Sequence, residues 1–171
     1  LVKLLRYTVK PGNELVSVRE DFIQIGHYLD LQKERYGEQL KIDIHLESDI
    51  RDCLIPHLLL QPLIENAIIH GLEPLVGEKR LRIRGWAENG ETRFNVQDNG
   101  PGMSDELVQR ICRDEKGTGI GLTNTDRRLK AHFGNPYGIL IQSAPQAGTT
   151  VTVRLPRLEE TEHVRQNPHS G

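Results

Sequence analysis

Three short segments of the sequence combine residue types that suit a bound metal ion or phosphate. In residues 60–71, apolar side chains recur at helical spacing, while Glu65, Asn66 and His70 are polar. With 3.6 residues per helical turn, these three side chains lie within about one turn of each other. The amide oxygen of Asn66 is a suitable hard ligand for Mg²⁺. The solvated face of a surface helix would show the same polar residues, so this segment leaves both interpretations open.

The second segment, residues 98–103, joins a carboxylate to a tight turn. Asp98 follows an apolar pattern typical of a strand, and Asn-Gly-Pro-Gly comes directly after it. Gly100 and Gly102 allow positive φ and a close approach of the backbone to a ligand. A fixed carboxylate there can accept a hydrogen bond from an exocyclic amine, such as that of adenine. An ordinary Asp-Asn-Gly turn has the same sequence, so the segment is only moderately specific.

The third segment is rich in glycine and leads into a helix. It consists of Lys116, Gly117, Thr118, Gly119, Ile120, Gly121 and Leu122. Successive backbone N–H groups at a helix start form a site for anions. The segment lacks the Gly-Lys-Ser/Thr ending of a P-loop. It also does not follow a first strand, as a dinucleotide-binding fingerprint would.

The elements that must position these segments are helices and strands in alternation. Helices are predicted at Val18–Tyr36, from Pro56 to Gly71 with a bend at Pro62, and at about 122–132. Strands are predicted at Leu40–Leu46, 81–87, 93–97, 139–143 and 149–155, the second and third joined by an Asn89-Gly90 turn. Residues 1–7 resemble the end of an earlier helix. The predicted fold class is α+β, a two-layer α/β sandwich whose mixed sheet carries helices on one face, preceded by a helical segment.

Composition excludes several classes of function. Of 171 residues, 36% are hydrophobic and 27% charged, and the net charge of −2 gives no indication of a nucleic-acid partner. The sequence contains no apolar run long enough to span a bilayer. Two distant cysteines, Cys53 and Cys112, favour a reducing compartment, and the seven histidines lack the spacing of a zinc site.

Together and in this order, the three segments resemble the GHKL (Bergerat-fold) superfamily of histidine kinases, type II topoisomerases and some chaperones. The helix at 60–71 resembles its N box, and residues 98–102 and 117–121 resemble its two glycine boxes. Gly148-Thr149-Thr150 resembles the closing glycine-threonine element. The strings 4–7, 28–37, 56–67 and 119–129 narrow the resemblance to LytS/YehU-type sensor histidine kinases over roughly residues 1–157.

The resemblance implies a Mg-ATP site. Asn66 would coordinate Mg²⁺, and Glu65 would polarise the nucleophile or order a metal-bound water. Asp98 would accept from the adenine amino group, the glycines at 100 and 102 would leave room for the ring, and residues 103–116 would form a mobile lid. The implied nucleotide contacts are Asn66, His70, Asp98, Gly100, Gly102, Met103, Lys116, Gly117, Thr118, Gly119, Ile120, Gly121, Leu122 and Thr150.

Two departures from the family pattern affect the chemistry. Many relatives place a lysine three positions after the N-box asparagine, where this chain has Ile69; Lys116, His70 or Arg128 could replace its charge. The GHKL hydrolases place a glutamate base four positions before that asparagine, where this chain has Pro62. This difference disfavours ATP hydrolysis and favours transfer to a protein.

The expected organisation follows from the resemblance. Residues 1–36 would end the dimerisation region, 37–157 would be the ATP-binding catalytic domain, and 158–171 a polar, disordered tail. The γ-phosphate would pass to an upstream histidine and then to a response-regulator aspartate; His27 and His169 are not expected to be the acceptor. The alternatives are a nucleotide-sensing module without transfer activity and an ATPase. The resemblance also implies a homodimeric full-length protein in the bacterial cytoplasmic membrane, with this part of the chain soluble and cytoplasmic.

Overall fold

A five-stranded mixed sheet forms one layer of the molecule in a computed structural model that describes residues 14–160. Its strands are β2 (Leu40–Leu46), β4 (Lys79–Glu88), β5 (Glu91–Asp98), β6 (Gly138–Ser143) and β7 (Thr149–Pro156). Their spatial order is β2-β4-β5-β7-β6, with β2 parallel to β4 and the other neighbours antiparallel. The short strands β1 (Leu15–Ser17) and β3 (Leu54–Pro56) pair separately. The predicted mixed sheet is confirmed.

Helices form the second layer on one face of the sheet. They are α1 (Val18–Tyr36), α2 (Gln61–Asn66), α3 (Asp105–Cys112) and α4 (Ile120–Phe133). Alternation along the strands buries one sheet face, including Ile83, Phe94 and Val153, against apolar helix residues such as Leu63 and Leu129. Asn89 and Gly90 both have positive φ and close the β4–β5 hairpin, as their sequence predicts.

Helix α1 packs in the same core as the sheet. Val18, Ile25 and Leu29 are buried, and the ring of Phe22 stacks on that of Phe94 with centroids 6.4 Å apart. The boundary predicted at residue 36 therefore does not separate two cores. A role for residues 1–36 in dimerisation stays a prediction.

The N-box helix differs from its predicted form. It begins at Gln61 rather than Pro56, because Pro56 ends strand β3 and pairs with Leu15. Pro62 therefore occupies the first turn, where its missing N–H has no helical partner to lose, and the predicted bend is wrong. After Asn66 the helix continues as a π-helical segment, Ala67–Leu72.

The chain after β7 is also better packed than predicted. Leu158 is buried, its carbonyl accepts from the Leu54 N–H at 2.7 Å, and Glu159 bridges to Cys53. The disordered tail predicted from residue 158 is therefore wrong for these two residues. The helix end predicted at 1–7 and His169 lie outside the described residues. Among residues 14–160, no helix is long and apolar enough to cross a bilayer.

Candidate nucleotide-binding site

A cavity of about 550 Å³ lies where α2, the lid and the start of α4 meet. Its lining joins all three segments that the sequence analysis identified. The lining residues are Asn66, His70, Gly102, Met103, Leu107, Ile111, Gly117, Thr118, Gly119, Ile120, Gly121 and Leu122. Most of the predicted nucleotide contacts therefore border one space. Leu107 and Ile111 are additions from the lid.

The π-helical segment carries the N-box side chains to this cavity. Its wider turn is marked by the hydrogen bond from the Glu73 N–H to the Ile68 carbonyl at 2.8 Å. Asn66 precedes the segment and His70 lies within it, and both line the cavity. Such π-bulges are rare and are frequent at functional sites. Neither apolar spacing nor helix propensity in the sequence distinguishes a π turn from an α turn.

Asp98 is not among the lining residues, but it packs against Gly71, the neighbour of the lining residue His70. Its side chain is buried, and its Oδ1 accepts from the Gly100 N–H at 2.8 Å. A Cβ at Gly71 would lie only 2.5 Å from the Asp98 Cγ, so the carboxylate presses against the residue that follows His70. Burial raises the pKa of Asp98, and hydrogen bonds from the N–H groups of Gly100 and Thr149 act in the opposite direction.

Gly100 and Gly102 allow other backbone segments of the protein to pack closely against them. A Cβ at Gly100 would lie 2.2 Å from the Gly71 carbonyl oxygen. Gly102 has φ of +69°, and a Cβ there would lie 1.9 Å from the carbonyl oxygen of Ala144. Each of these glycines therefore makes a close contact between chain segments. The room for a ring that the resemblance implies at Gly100 and Gly102 stays a prediction.

The third segment presents the uncapped start of a helix to the cavity. Gly119 has a left-handed conformation at the N-terminus of α4, and no side chain within residues 14–160 caps it. The first N–H groups of a helix have no partner within the helix, so those of the first turn are free to bind an anion. A Cβ at Gly121 would meet only the Pro62 carbonyl oxygen, at 3.8 Å. The geometry suits the approach of a phosphate to the backbone.

The lid contains a helix that the sequence analysis did not predict. Helix α3 is capped by Ser104, whose Oγ accepts from the Leu107 N–H at 3.3 Å. Ile111 is buried and would touch any Cβ placed on Gly119. The signal for this helix was available, because Ser104 precedes Asp105 and Glu106, the acidic residues typical of a first turn.

Thr149 and Thr150 lie on opposite faces of the sheet, and Thr150 is on the outer face. It pairs with the exposed Gln97, whereas Thr149 pairs with the buried Asp98. Successive side chains of a strand face opposite sides, so Thr149 and Asp98 share the inner face. The side chain of Thr150 therefore lies on the outer face, and the nucleotide contact predicted for it stays a prediction. The alternation through Val151 and Val153 places Thr149 on the inner face.

Glu65 and Lys116 also lie outside the cavity lining. Glu65 accepts from the Gln61 Nε2 at 3.1 Å. It also acts on Tyr28 of α1. Burial of Tyr28 is the main cause, and the negative charge of Glu65 the second, that raises the pKa of Tyr28 to about 12. Lys116 is exposed on the lid. The catalytic role predicted for Glu65 and the phosphate contact predicted for Lys116 stay predictions.

The chain belongs to the family described as histidine kinase-, DNA gyrase B-, and HSP90-like ATPase, which matches residues 52–159. Among curated proteins, sensor histidine kinase YesM of Bacillus subtilis is 37% identical over 153 residues, covering 90% of this chain and 26% of YesM. The chain thus spans about a quarter of that relative's length. The resemblance to sensor histidine kinases is confirmed.

Solved structures confirm the fold. The catalytic domain of histidine kinase ThkA has a TM-score of 0.67 at 17% identity, covering 86% of this chain and 99% of that domain. ThkA in complex with the response regulator protein TrrA has a TM-score of 0.65 at 16% identity, covering 91% of this chain and 46% of ThkA. The predicted GHKL architecture, a mixed sheet with helices on one face, is that of these catalytic domains.

Proposed function

We propose that this chain binds Mg-ATP in the cavity between α2, the lid and α4, as the catalytic domain of a sensor histidine kinase. The γ-phosphate passes to a nitrogen of a histidine on an upstream dimerisation helix, and ADP leaves. The phosphoryl group then passes to an aspartate of a response regulator. One observation supports this most strongly: Asn66 and the uncapped start of α4 line one cavity, with Asp98 buried beside it.

Each group has a distinct task in this proposal. The Asn66 amide oxygen is a hard ligand of the type that Mg²⁺ takes together with phosphate oxygens and waters. Bound Mg²⁺ neutralises phosphate charge, and the N–H groups at the start of α4 hold the phosphate oxygens. The Asp98 carboxylate accepts from the adenine amino group. Positioning and neutralisation are the main requirements of phosphoryl transfer, and the lid excludes water.

Nucleotide binding tests the site. We expect the 171-residue chain to bind ATP more tightly than GTP, and only with Mg²⁺ present. Asp98→Asn should remove the preference for adenine, and Asn66→Ala should remove the dependence on Mg²⁺, each weakening ATP binding by about ten- to a hundredfold. Thr152→Val, which removes a hydroxyl bonded to the Asn95 Oδ1 on the opposite face of the sheet, is the matched control and should bind as the parent does. Equal affinity of the parent for ATP and GTP would refute the assignment of Asp98.

Transfer is tested separately with a chain extended by the upstream acceptor helix. Label from γ-phosphate-labelled ATP should appear on that helix and then on a response regulator. Tight ATP binding without label would favour a nucleotide-sensing module, an alternative that the exposed Ile69 in the N box supports. Steady release of phosphate would favour an ATPase. Label on His27 would contradict the proposal that the acceptor histidine lies on an upstream helix.

A further inference from the structure

A single hydroxyl at the end of β6 joins the lid to the strand pair around Asp98. The Ser143 Oγ accepts from the Met103 N–H at 2.8 Å and donates to the Gly148 carbonyl at 2.9 Å. It also lies 2.8 Å from the Thr149 Oγ1. A hydroxyl has one proton to donate, so Ser143, which gives its proton to Gly148, must accept from Thr149. Its hydrogen-bonding capacity is then fully used.

The three partners of Ser143 belong to different parts of the site. Met103 is the first residue after the second glycine of the Asp98 turn and lines the cavity. The Thr149 N–H binds the Asp98 carboxylate. Gly148 packs on the Asp98 backbone so tightly that a Cβ there would lie 2.1 Å from the Asp98 carbonyl oxygen. Ser143 therefore connects the start of the lid to the groups that hold Asp98.

Neighbouring contacts make the start of the lid a fixed point. The Gln146 N–H donates to the Pro101 carbonyl at 2.6 Å. Gly102 has no room for a side chain against Ala144. Both contacts come from the turn that joins β6 to β7, and neither reaches beyond Gly102. The hydrogen bond from the Met103 N–H to the Ser143 Oγ, at the end of β6, extends these contacts to the first residue of the lid.

We infer that Ser143 is a positioning residue that fixes the start of the lid relative to Asp98. This inference rests on the proposed function, because Ser143 would join two parts of one nucleotide site, the base-binding Asp98 and the lid that covers the phosphates, so that they move as a unit. Removing the hydroxyl leaves Asp98, Asn66 and the start of α4 chemically intact. It leaves the Met103 N–H without its acceptor, so the lid loses its alignment over the phosphates.

The test compares ATP with adenosine, which lacks the phosphates that the lid would cover. For Ser143→Ala we expect ATP binding about tenfold weaker than in the parent, and adenosine binding changed by less than about threefold. Ser143→Thr keeps the hydroxyl and should restore ATP binding. Thr152→Val is the matched control, because it removes a strand hydroxyl that bonds the Asn95 Oδ1 at 2.8 Å on the opposite sheet face. It should change neither affinity.

A merely structural role for Ser143 would weaken ATP and adenosine binding by the same factor, and that result would overturn the inference. If Ser143→Ala bound ATP as tightly as the Thr152→Val control does, that result would overturn the inference as well. If Ser143→Ala does not fold, Ser143→Cys takes its place, and its weaker hydrogen bonding should give an intermediate loss of ATP binding.

Tryptic cleavage of the ligand-free chain separates this inference from the proposed function. Arg113 and Lys116 are exposed in the lid, and cleavage after them reports its mobility. Ser143→Ala should be cleaved there several times faster than the parent, whereas Thr152→Val should not. Unchanged cleavage would refute the positioning role even if ATP binds. Failure of the parent to bind ATP, together with faster cleavage in Ser143→Ala, would refute the proposed function alone.

Discussion

The contact between Gly71 and Asp98 provides a sharp test of the site's geometry. A Cβ at Gly71 would lie between 2.5 and 2.7 Å from three atoms of the Asp98 carboxylate. Ordinary contact begins at 3.4 Å, so in Gly71→Ala the carboxylate must retreat by about 0.9 Å. A movement of this size away from the helix would break its 2.8 Å hydrogen bond from the Gly100 N–H.

The expected cost follows from these two effects. Overpacking costs about 1–3 kcal/mol, and loss of a hydrogen bond to a charged group costs about 1.5–3 kcal/mol; the two overlap, so we expect about 2–4 kcal/mol. For a domain of this size that corresponds to a lower melting temperature by roughly 5–15 °C. ATP binding should weaken too, because the carboxylate that is proposed to accept from adenine has moved.

A double-mutant cycle identifies the cause. In an Asp98→Ala background the clashing atoms are gone, so Gly71→Ala should cost less than about 0.5 kcal/mol. Gly26→Ala is the matched control, since a Cβ there meets no described atom within 4 Å and should stabilise helix α1 by up to about 1 kcal/mol. Urea unfolding followed by circular dichroism measures all the variants. An equal penalty for Gly71→Ala in both backgrounds would refute the contact with Asp98.

Two further predictions concern titration and thiol reactivity. Because burial raises the pKa of Asp98 above 3.8, adenosine binding should weaken on acidification before the pH reaches that value. Protonation replaces the charged acceptor by a neutral carboxyl, whose hydrogen bond from the adenine amino group is weaker. It favours the folded state, however, because the folded carboxyl binds the proton more tightly than the unfolded one. Adenosine has no phosphate to titrate, and an unchanged adenosine affinity down to pH 4 would contradict this prediction. Separately, a thiol reagent should modify the exposed Cys112 in the native chain but Cys53 only on unfolding, because Cys53 is buried and burial raises its pKa. Mass spectrometry after proteolysis measures which cysteine is modified. Labelling of Cys53 in the native chain would contradict the packing around Leu158.

Local rules in the sequence predicted most of the sheet. The alternation in Leu40–Leu46 and the Asn89-Gly90 turn depend on neighbouring residues, and the structure confirms both. Alternation also predicts that Thr149 faces inward and Thr150 outward, and the structure confirms this. A motif identifies a segment, whereas the pleat determines which of its side chains lies on the inner face.

The features that the sequence did not predict depend on contacts between distant segments of the chain. Pro56 is a favourable first residue for a helix, yet pairing with Leu15 places it in a strand. The Asp98 turn is compatible with any strand end, and its close packing depends on Gly71 and on Ala144. Such contacts join residues tens of positions apart, and no local pattern specifies them.

The missing N-box lysine shows how tertiary structure limits the interpretation of a motif. Arg128 was one of three candidates to supply the cation, but its Nη2 donates to the His57 carbonyl at 2.5 Å, just ahead of α2. Asp21 of α1 accepts from the Leu58 N–H at 2.8 Å in the same stretch.

Arg128 and Asp21 therefore both bind the backbone of the segment that leads into α2. Arg128 belongs to α4, whose N-terminus lines the cavity, and α2 carries Asn66 to the opposite wall. The hydrogen bond from Arg128 ties α4 to the segment before α2 and occupies one of the five N–H groups of the guanidinium. Of the other two candidates, His70 already lines the cavity, whereas Lys116 lies on the lid and would approach the phosphates only when the lid closes. All three residues stay candidates for the charge that the lysine supplies in relatives.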